Sequence, residues 1–485
     1  MVSGRVVRVR KAGDGVAARS LREGIEQIRS ELGVTPDFPP EVEQAAASAA
    51  AAPRLPDLDR TDLPFVTIDP ASSRDLDQAV HIERDGDGYV VHYAIADVAA
   101  FVTAGDPVDV EANRRGETLY GADSKIPLHP KSLSEGAASL LPDEIRPALL
   151  WTIRVDGTGE GTDVTVERAR VRSTSKLDYE GAQKSIDQGD ADETLMLLKD
   201  VGELRLRREA ARGGVSLPLP EQEIDVEGDH WHLEFRSLLP AEEWNAQISL
   251  LTGCAAASLM LRARVGLLRT LPPPDPRDVE RLHHTARALG IAWPDGTPYP
   301  DFIRSLDPTK SRHAAMVVAC TRLLRGSGYA GFDGELPGQA RHSALASEYA
   351  HVTAPLRRLG DRYAGEVCLA ICAGTDVPGW VLEKLPELPG TLRESGTRAS
   401  RYTRAITDLV EAGVLQSHVG QTFAAVVVDV SEKNGATRGV VTLRDDGVEA
   451  PVVSSSALPL GQEVSVRLTT ADVVKRKVEF TLERG

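Results

Sequence analysis

Hydrophobic and polar positions divide the chain into three regions with different secondary-structure patterns. The first region, residues 1–60, contains helix-like segments at about 17–32 and 40–51, joined by a proline-rich stretch. Two short helices in so few residues are typical of a small helical module, and a helix-turn-helix is one form of it. An acid-free basic run at residues 5–11 favours a module that binds nucleic acid. The alternative is a helical lid on the next domain.

The middle region, residues 61–415, mixes strand and helix patterns. β-branched and aromatic residues predict early strands at 65–69, 89–95 and 150–154. Apolar residues at helical spacing predict later helices at 180–212, 241–263, 277–289, 312–326 and 357–374. Strands early and helices late predict an α+β domain.

The last region, residues 419–485, changes to short β-type segments separated by turn residues. The predicted strands are 423–430, 438–444, 448–453, 463–468 and 477–482. Five such strands predict a small closed barrel of the OB-fold type, which commonly binds nucleic acid. The alternative is a β-barrel that serves only for packing.

Composition places the chain among ordinary globular proteins. Its 485 residues are 41% apolar and 26% charged, which excludes a disordered chain, a collagen-like fibre and a disulfide scaffold. Four cysteines are too few for a disulfide framework and suggest a reducing compartment. The N-terminal residues lack an apolar signal core, and no run of about 18 apolar residues stands out. These features predict a cytoplasmic protein without a membrane partner.

The net charge of −16 argues against nonspecific adhesion to DNA. It is compatible with an RNA enzyme whose basic groups line a channel while acids cover the outside. No G-x(4)-G-K-[ST] loop occurs, so the sequence predicts no nucleotide cofactor. No segment has the pattern of a dimer seam, and we expect a monomer.

The most informative segment is Phe65-Val-Thr-Ile-Asp69-Pro-Ala-Ser-Ser-Arg-Asp75-Leu-Asp77-Gln78. A predicted strand ends at Asp69, a turn follows, and Asp75 and Asp77 alternate so that both point to one side. Three converging carboxylates repel each other unless their pKa values rise or a cation binds between them. Oxygen ligands without histidine or cysteine predict Mg²⁺, with Mn²⁺ as an alternative, in a site for phosphate chemistry. The other interpretation is a surface loop in which Ser and Asp cap a turn.

Further segments follow this one in a fixed order. They are Tyr93-Ala-Ile-Ala-Asp97, Arg115-Gly-Glu-Thr118-Leu-Tyr120, Ile126-Pro-Leu-His-Pro130 and Tyr349-Ala-His-Val-Thr353-Ala-Pro-Leu-Arg357-Arg358. The ordered set resembles the catalytic domain of the ribonuclease II/R exoribonucleases, the RNB family. The last region is similar to the RNA-binding barrel named after ribosomal protein S-one. The resemblance implies processive 3′→5′ hydrolysis of single-stranded RNA that releases nucleoside 5′-monophosphates.

The resemblance also implies roles for the acidic segment. Asp69, Asp75 and Asp77 match metal-binding aspartates of the family, and Gln78 stands where the family has a fourth aspartate. Glutamine offers a neutral oxygen but no charge, which weakens one metal site. An RNA-binding regulator with an impaired nuclease domain is therefore the alternative function.

Other residues are implied to contact RNA. Arg357 matches the arginine that grips the reacting phosphate, with Arg358 beside it, and Tyr120 matches an aromatic residue that stacks near the 3′ nucleotides. Without the resemblance, the arginines would be read as a helix-surface pair and the tyrosine as a core residue.

Two further predictions come from patterns in the sequence. Glu242, Asn245 and Ser249 share one helical face, where Asn245 could contact ribose hydroxyls or hydrogen-bond within the core. Lys475 and Lys477 in the last region form a candidate strip for RNA contact.

Overall fold

The structure of the protein is a computed structural model. It describes residues 7–12, 15–122, 124–217, 221–227, 230–236, 238–307, 310–433, 436–443, 449–460 and 462–483. The α-helices in these ranges are α1 (Val16–Leu32), α2 (Pro40–Ala51), α3 (Pro107–Arg115), α4 (Tyr179–Gln188), α5 (Glu193–Ala211), α6 (Pro240–Ala263), α7 (Pro276–Ala288), α8 (Tyr299–Arg304), α9 (Ser311–Cys320), α10 (Leu359–Ala373), α11 (Gly379–Lys384) and α12 (Leu388–Leu415). The strands are β1 (Val7–Ala12), β2 (Phe65–Ile68), β3 (Gln78–Asp85), β4 (Gly88–Ala96), β5 (Leu119–Tyr120), β6 (Lys125–Ile126), β7 (Ile145–Val155), β8 (Gly161–Leu177), β9 (Glu221–Glu227), β10 (His230–Arg236), β11 (Val265–Thr270), β12 (Gly328–Asp333), β13 (Arg341–His342), β14 (Ser347–Glu348), β15 (Thr422–Lys433), β16 (Ala436–Leu443), β17 (Glu449–Ser454), β18 (Glu463–Asp472) and β19 (Lys477–Leu482).

Five strands of the middle region close into a barrel in the order β2-β3-β4-β7-β8. Neighbouring strands are antiparallel except β2 and β8, which run parallel. The β3–β4 hairpin turns at Gly86, whose φ of 62° is a left-handed conformation that glycine adopts readily. Helices α4–α6 and α10 pack around this barrel, so the predicted α+β class is confirmed.

Helix α6 is the longest helix of the middle region apart from α12. Its 24 residues are long and apolar enough to cross a membrane by length and composition alone. In the structure it packs against α5 and α10, and Trp244, Ile248 and Met260 are buried in the main hydrophobic core. Burial of this apolar surface stabilises the domain by about 25 cal/mol per Å². The helix is therefore a core element of the fold.

The helix predicted over 180–212 is two helices, so that prediction was wrong. Helix α4 ends at Gly189, which has a φ of 75°, and α5 begins after Asp192, whose side chain accepts the N–H of Leu195 at 2.8 Å. The left-handed glycine and the new N-cap interrupt the helical backbone hydrogen bonds, although the apolar spacing of the sequence continues.

Helix α12 was not predicted. It runs for 28 residues and links the middle region to the last region. Pro389 and Gly390 in its first turn, and Gly396 further on, resemble loop signals, but proline is tolerated in the first helical turn. Burial of Leu392, Tyr402 and other residues of its apolar face then stabilises the remaining turns of the helix.

The last region is a closed barrel in the order β15-β16-β17-β19-β18, as the OB-fold prediction requires. Val427, Val441, Val452 and Phe480 are fully buried in its interior. The barrel shares its hydrophobic core with α1 and α12.

The two N-terminal helices pack in different places. Leu21, Ile25 and Ile28 of α1 join the core of α12 and the last barrel, whereas Val42 and Ala46 of α2 pack in a core with the barrel of the middle region. Each helix buries its single apolar stripe against a different partner, so the helical module predicted for residues 1–60 is divided between two cores. Binding of nucleic acid by this region stays a prediction.

Candidate active site

The three predicted aspartates lie in the connection from β2 to β3. Strand β2 ends at Ile68, and the N–H of Asp69 donates to the carbonyl of Leu177 at 3.1 Å, which extends the pairing with β8. Lys176 closes the following turn by donating to two of its carbonyl oxygens at 2.6 Å each. The chain then enters β3 at Gln78. The turn thereby places all three carboxylates at one end of the barrel.

Asp77 joins this connection to the loop before α10. It is only 3% exposed, its Oδ1 accepts the N–H of Leu356 at 2.8 Å, and its Oδ2 lies 3.2 Å from Nε of Arg357. The side-chain amide of Gln78 donates to the carbonyl of Thr353. The fold therefore brings together residues nearly 280 positions apart in the sequence.

Burial dominates the electrostatics of two of the aspartates. It raises the pKa of Asp69 to about 7 and that of Asp77 to about 8, although Arg357 lowers both. Among the described residues, the buried Oδ2 of Asp69 has no hydrogen-bond partner. An unpaired buried oxygen is costly, so the site favours a proton or a cation beside Asp69.

In the metal-free protein we expect Asp69 and Asp77 to contribute a progressive decrease in the free energy of unfolding as the pH rises from about 4 to about 8. Asp69 and Asp77 keep their protons in the folded protein well above their usual pKa of 3.8. Unfolding then releases protons, and a higher pH favours unfolding by up to about 1.4 kcal/mol per pH unit for each proton. Urea denaturation of EDTA-treated protein at several pH values measures this slope.

The matched control separates the buried pair from surface acids. Asp77→Asn should make the decrease with pH smaller, whereas Asp87→Asn, in the exposed turn between β3 and β4, should leave it unchanged. Equal slopes for wild type and Asp77→Asn would contradict the raised pKa of Asp77.

Asp75 has a partner that the sequence reasoning missed. Nζ of Lys125 lies 2.6 Å from Oδ1 of Asp75 and 3.0 Å from Oε1 of Glu135. The two carboxylates raise the pKa of Lys125 against the opposing effect of burial, so it remains an ammonium ion. Lys125 pairs with Tyr120 across the β5–β6 hairpin, and this short hairpin was the available signal.

Tyr120 and Arg357 complete the site. The Tyr120 side chain is hydrogen-bonded to Arg357, and Tyr120 is 44% exposed. Burial alone would lower the pKa of Arg357, but Tyr120, Asp77 and Asp69 raise it further above its usual value. A permanently charged guanidinium therefore lies beside the aspartates, next to a ring that a nucleotide base can reach.

The donor chemistry of the site fits a hard divalent cation. Such an ion would give Oδ2 of Asp69 a partner, and its positive charge would lower the raised pKa values of Asp69 and Asp77. In the described ranges, however, no group of three or more His, Cys, Asp or Glu side chains is close enough to enclose an ion. Lys125 and Arg357 hold two of the three carboxylates, so the open side of the site is at Asp69.

Comparison with known proteins identifies the family. The model of the RNB domain matches residues 58–370, and the model of the RNase II-type exonuclease C-terminal S1 domain matches residues 421–483. The chain belongs to the RNB family. The match covers the catalytic barrel, the aspartates, Tyr120 and Arg357, and the recognition from sequence motifs is confirmed.

Individual relatives agree with this assignment. The chain is 28% identical over 471 residues to ribonuclease R of Escherichia coli, a match that covers 88% of this chain and 57% of the relative. It is 29% identical over 420 residues to exoribonuclease 2 of Yersinia enterocolitica, covering 81% and 62%. The chain thus spans about three fifths of the length of these relatives.

A solved structure confirms the fold. The RNase R of Mycoplasma genitalium, in a complex with ribose-methylated single-stranded RNA, superimposes with a TM-score of 0.82 at 19% identity. The match covers 96% of this chain and 78% of that one. The similarity extends over both the RNB domain and the C-terminal barrel, so the two units share their arrangement with that enzyme.

Arg358 has a different acidic partner from Arg357. Its guanidinium forms an ion pair with Asp361 at 2.7 Å, and Asp361 in turn accepts the N–H of Ala354 at 2.8 Å. This arrangement fixes the loop that carries Arg357. Contact between Arg358 and RNA stays a prediction, and the structure gives Arg358 a role in shaping the loop.

Asn245 lies beside the aspartate segment, near the end of β2. Its amide donates to the carbonyl of Ile68 at 3.4 Å and to the hydroxyl of Tyr179 at 3.2 Å. Asn245 therefore supports the end of β2 next to Asp69. Contact with ribose hydroxyls stays a prediction.

Lys475 and Lys477 lie on the β18–β19 hairpin of the C-terminal barrel. Their side chains are 78% and 51% exposed, and they pair with Asp472 at 3.3 Å and Glu479 at 2.9 Å. Such exposed pairs contribute little to stability and leave the ammonium groups accessible. Their contact with RNA stays a prediction.

Proposed function

We propose that this protein is an exoribonuclease that degrades single-stranded RNA processively from the 3′ end, releasing nucleoside 5′-monophosphates. The observation that carries the proposal is the meeting of Asp69, Asp75 and Asp77 with Arg357 at one end of the barrel. Membership of the RNB family and the relatives named ribonuclease R and exoribonuclease 2 support it.

Each cleavage is the hydrolysis of one phosphodiester bond. The oxygen of a water molecule bonds to phosphorus, and the bond to the 3′-oxygen of the preceding nucleotide breaks. The water loses a proton, and the leaving 3′-oxygen gains one, so a nucleoside 5′-monophosphate leaves the shortened RNA. Arg357 stabilises the negative charge that accumulates on the phosphoryl oxygens, because its guanidinium is charged and already positioned.

We propose Mg²⁺ as the ion of this site, with Mn²⁺ as a substitute. When bound, the ion would lower the pKa of the attacking water and stabilise the leaving oxygen. Asp69 would hold it through the unpartnered Oδ2, with Asp77 and Asp75 as further carboxylates. Gln78 would offer only its neutral Oε1, because its NH₂ group donates to the carbonyl of Thr353.

Contacts to the RNA strand come from two places. Tyr120 presents an exposed ring beside Arg357, and stacking of one base on an aromatic ring contributes about 1–3 kcal/mol. The C-terminal barrel adds basic side chains to the incoming strand. Asn245 of α6, which hydrogen-bonds to the end of β2, is the candidate contact to a ribose hydroxyl.

Changing both Lys475 and Lys477 to alanine should weaken RNA binding and reduce its dependence on salt. The slope of log K against log salt is negative, and its magnitude should become smaller by about 0.7 for each phosphate of a single strand that the variant no longer neutralises. Binding of a labelled oligoribonucleotide at several salt concentrations, without divalent ions, measures it. We prefer this change to deletion of residues 419–485, because the barrel shares its core with α1 and α12.

The control is Lys184→Ala on the exposed surface of α4. It removes a similar charge from the catalytic domain and should leave the salt slope unchanged. A double variant of Lys475 and Lys477 with the wild-type slope would show that this strip does not contact RNA.

The alternative function is an RNA-binding regulator with an impaired nuclease domain. It is favoured by Gln78, whose amide is committed to Thr353 and carries no charge. Against it stands Asp69, whose buried and unpartnered Oδ2 costs stability that a pure binding domain has no reason to lose. The enzyme is therefore the preferred function.

A single assay distinguishes the two functions. The protein is incubated with a 5′-labelled oligoribonucleotide and Mg²⁺, and an exoribonuclease of this type produces a ladder that shortens from the 3′ end. The same sequence as DNA and a reaction with EDTA are the controls. Binding without shortening at any Mg²⁺ or Mn²⁺ concentration would favour the regulator.

We also propose that the protein acts as a monomer in the cytoplasm. All four cysteines are free thiols in the described structure, which agrees with a reducing compartment. Gel filtration of the purified protein tests the monomer, and fractionation of cells tests the location.

A further inference from the structure

A lysine lies inside the acidic centre of the RNB domain. The ammonium of Lys125 is 2.6 Å from Asp75 and 3.0 Å from Glu135. The three side chains are 23%, 14% and 18% exposed, so the contact is largely shielded from solvent. Lys125 is in β6, and its backbone pairs with Tyr120, which fixes the position of the ammonium relative to Arg357.

The charges of the centre favour one divalent ion over two. Four carboxylates, those of Asp69, Asp75, Asp77 and Glu135, face three cations, Lys125, Arg357 and Lys176. One net negative charge remains, which is far less than the four positive charges that two divalent ions would bring. A second divalent ion would meet a positive Lys125 beside Asp75, and like charges at such distances repel strongly in a shielded site.

The carboxylate oxygens that already have partners also indicate a single bound ion. Oδ1 of Asp75 is held by Lys125, and Asp77 is held by Arg357 and the N–H of Leu356. Gln78 adds no charge. Among the described residues of the centre, Oδ2 of Asp69 is buried and without a partner, so a single ion has its strongest ligand there.

We propose that Lys125 supplies the positive charge of a second ion, so that this active centre binds one divalent cation on the side of Asp69. Lys125 is then a positioning residue that neutralises Asp75 and leaves the ion on the side of Asp69. The inference rests on the proposed function for its role in catalysis, whereas the number of bound ions can be measured without any reaction.

The experiment counts Mn²⁺ bound to the full chain by electron paramagnetic resonance, which distinguishes free from bound ions. Wild type should bind one Mn²⁺ per chain with high affinity. Lys125→Met keeps the length of the side chain and removes its charge, and it should bind a second Mn²⁺ at least about tenfold more tightly than wild type does. Combining it with Gln78→Asp should tighten the second ion further.

Two variants serve as controls. Lys125→Arg keeps the charge and should bind one ion, and Lys131→Met removes an exposed lysine nearby and should behave as wild type. Two tightly bound Mn²⁺ ions in wild type would overturn the proposal, as would a Lys125→Met variant with wild-type Mn²⁺ binding. The wild-type count decides the question even if Lys125→Met does not fold.

RNA degradation measured on the same preparations separates this inference from the proposed function. One bound ion and no shortening of RNA would refute the nuclease but keep the role of Lys125 in metal binding. Shortening of RNA by a wild-type protein with two tightly bound ions would keep the nuclease and refute the role of Lys125.

Discussion

Replacing Asp77 by asparagine is expected to abolish RNA cleavage while RNA binding remains nearly intact. The asparagine Oδ1 can still accept the N–H of Leu356, so the loop before α10 should keep its position. The variant loses the carboxylate beside Arg357 and one charge that would hold the ion. Stabilisation of several kcal/mol by a bound ion corresponds to a decrease in rate of more than about 10³-fold.

Single-turnover cleavage of a labelled oligoribonucleotide measures this rate, and binding in EDTA measures affinity. Asp87→Asn is the matched control, because Asp87 is exposed in the turn between β3 and β4. Cleavage by Asp77→Asn at the wild-type rate under saturating Mg²⁺ would contradict the role of Asp77.

The second large effect is expected for Arg357→Ala. The variant loses a preorganised guanidinium at the phosphoryl group, and such donors contribute about 10²–10³-fold to the rate. Asp77 also loses a charge partner that lowers its pKa, so its proton is held more firmly. We therefore expect a lower kcat, with a larger loss at acidic pH than at alkaline pH.

The conservative variant Arg357→Lys shows whether the rate depends on the positive charge alone or also on the shape of the guanidinium. Lysine keeps the positive charge but cannot form two parallel hydrogen bonds, so it should recover only part of the rate. Arg358→Ala provides a comparison, since Arg358 pairs with Asp361 and should affect stability more than chemistry. A raised KM with unchanged kcat in Arg357→Ala would make Arg357 a binding residue only.

Local patterns predicted much of the fold. Helices α1, α2, α6 and α7, and the strands of the last barrel, follow from apolar spacing within one segment. The break between α4 and α5 was missed because apolar spacing continues across Gly189. Helix α12 was missed because its proline and glycine resemble loop signals, and long-range packing stabilises it.

The sequence by itself determined the residues of the acidic segment, their spacing and the resemblance that brings in Arg357. These are properties of short segments, in which a strand end and a turn decide the direction of neighbouring side chains. Distances between remote segments depend on how the barrel closes. Only the tertiary structure therefore decided that Asp75 pairs with Lys125, and that Arg357 rather than Arg358 meets Asp77. Burial, which raises the pKa values of Asp69 and Asp77, is likewise a property of the assembled core.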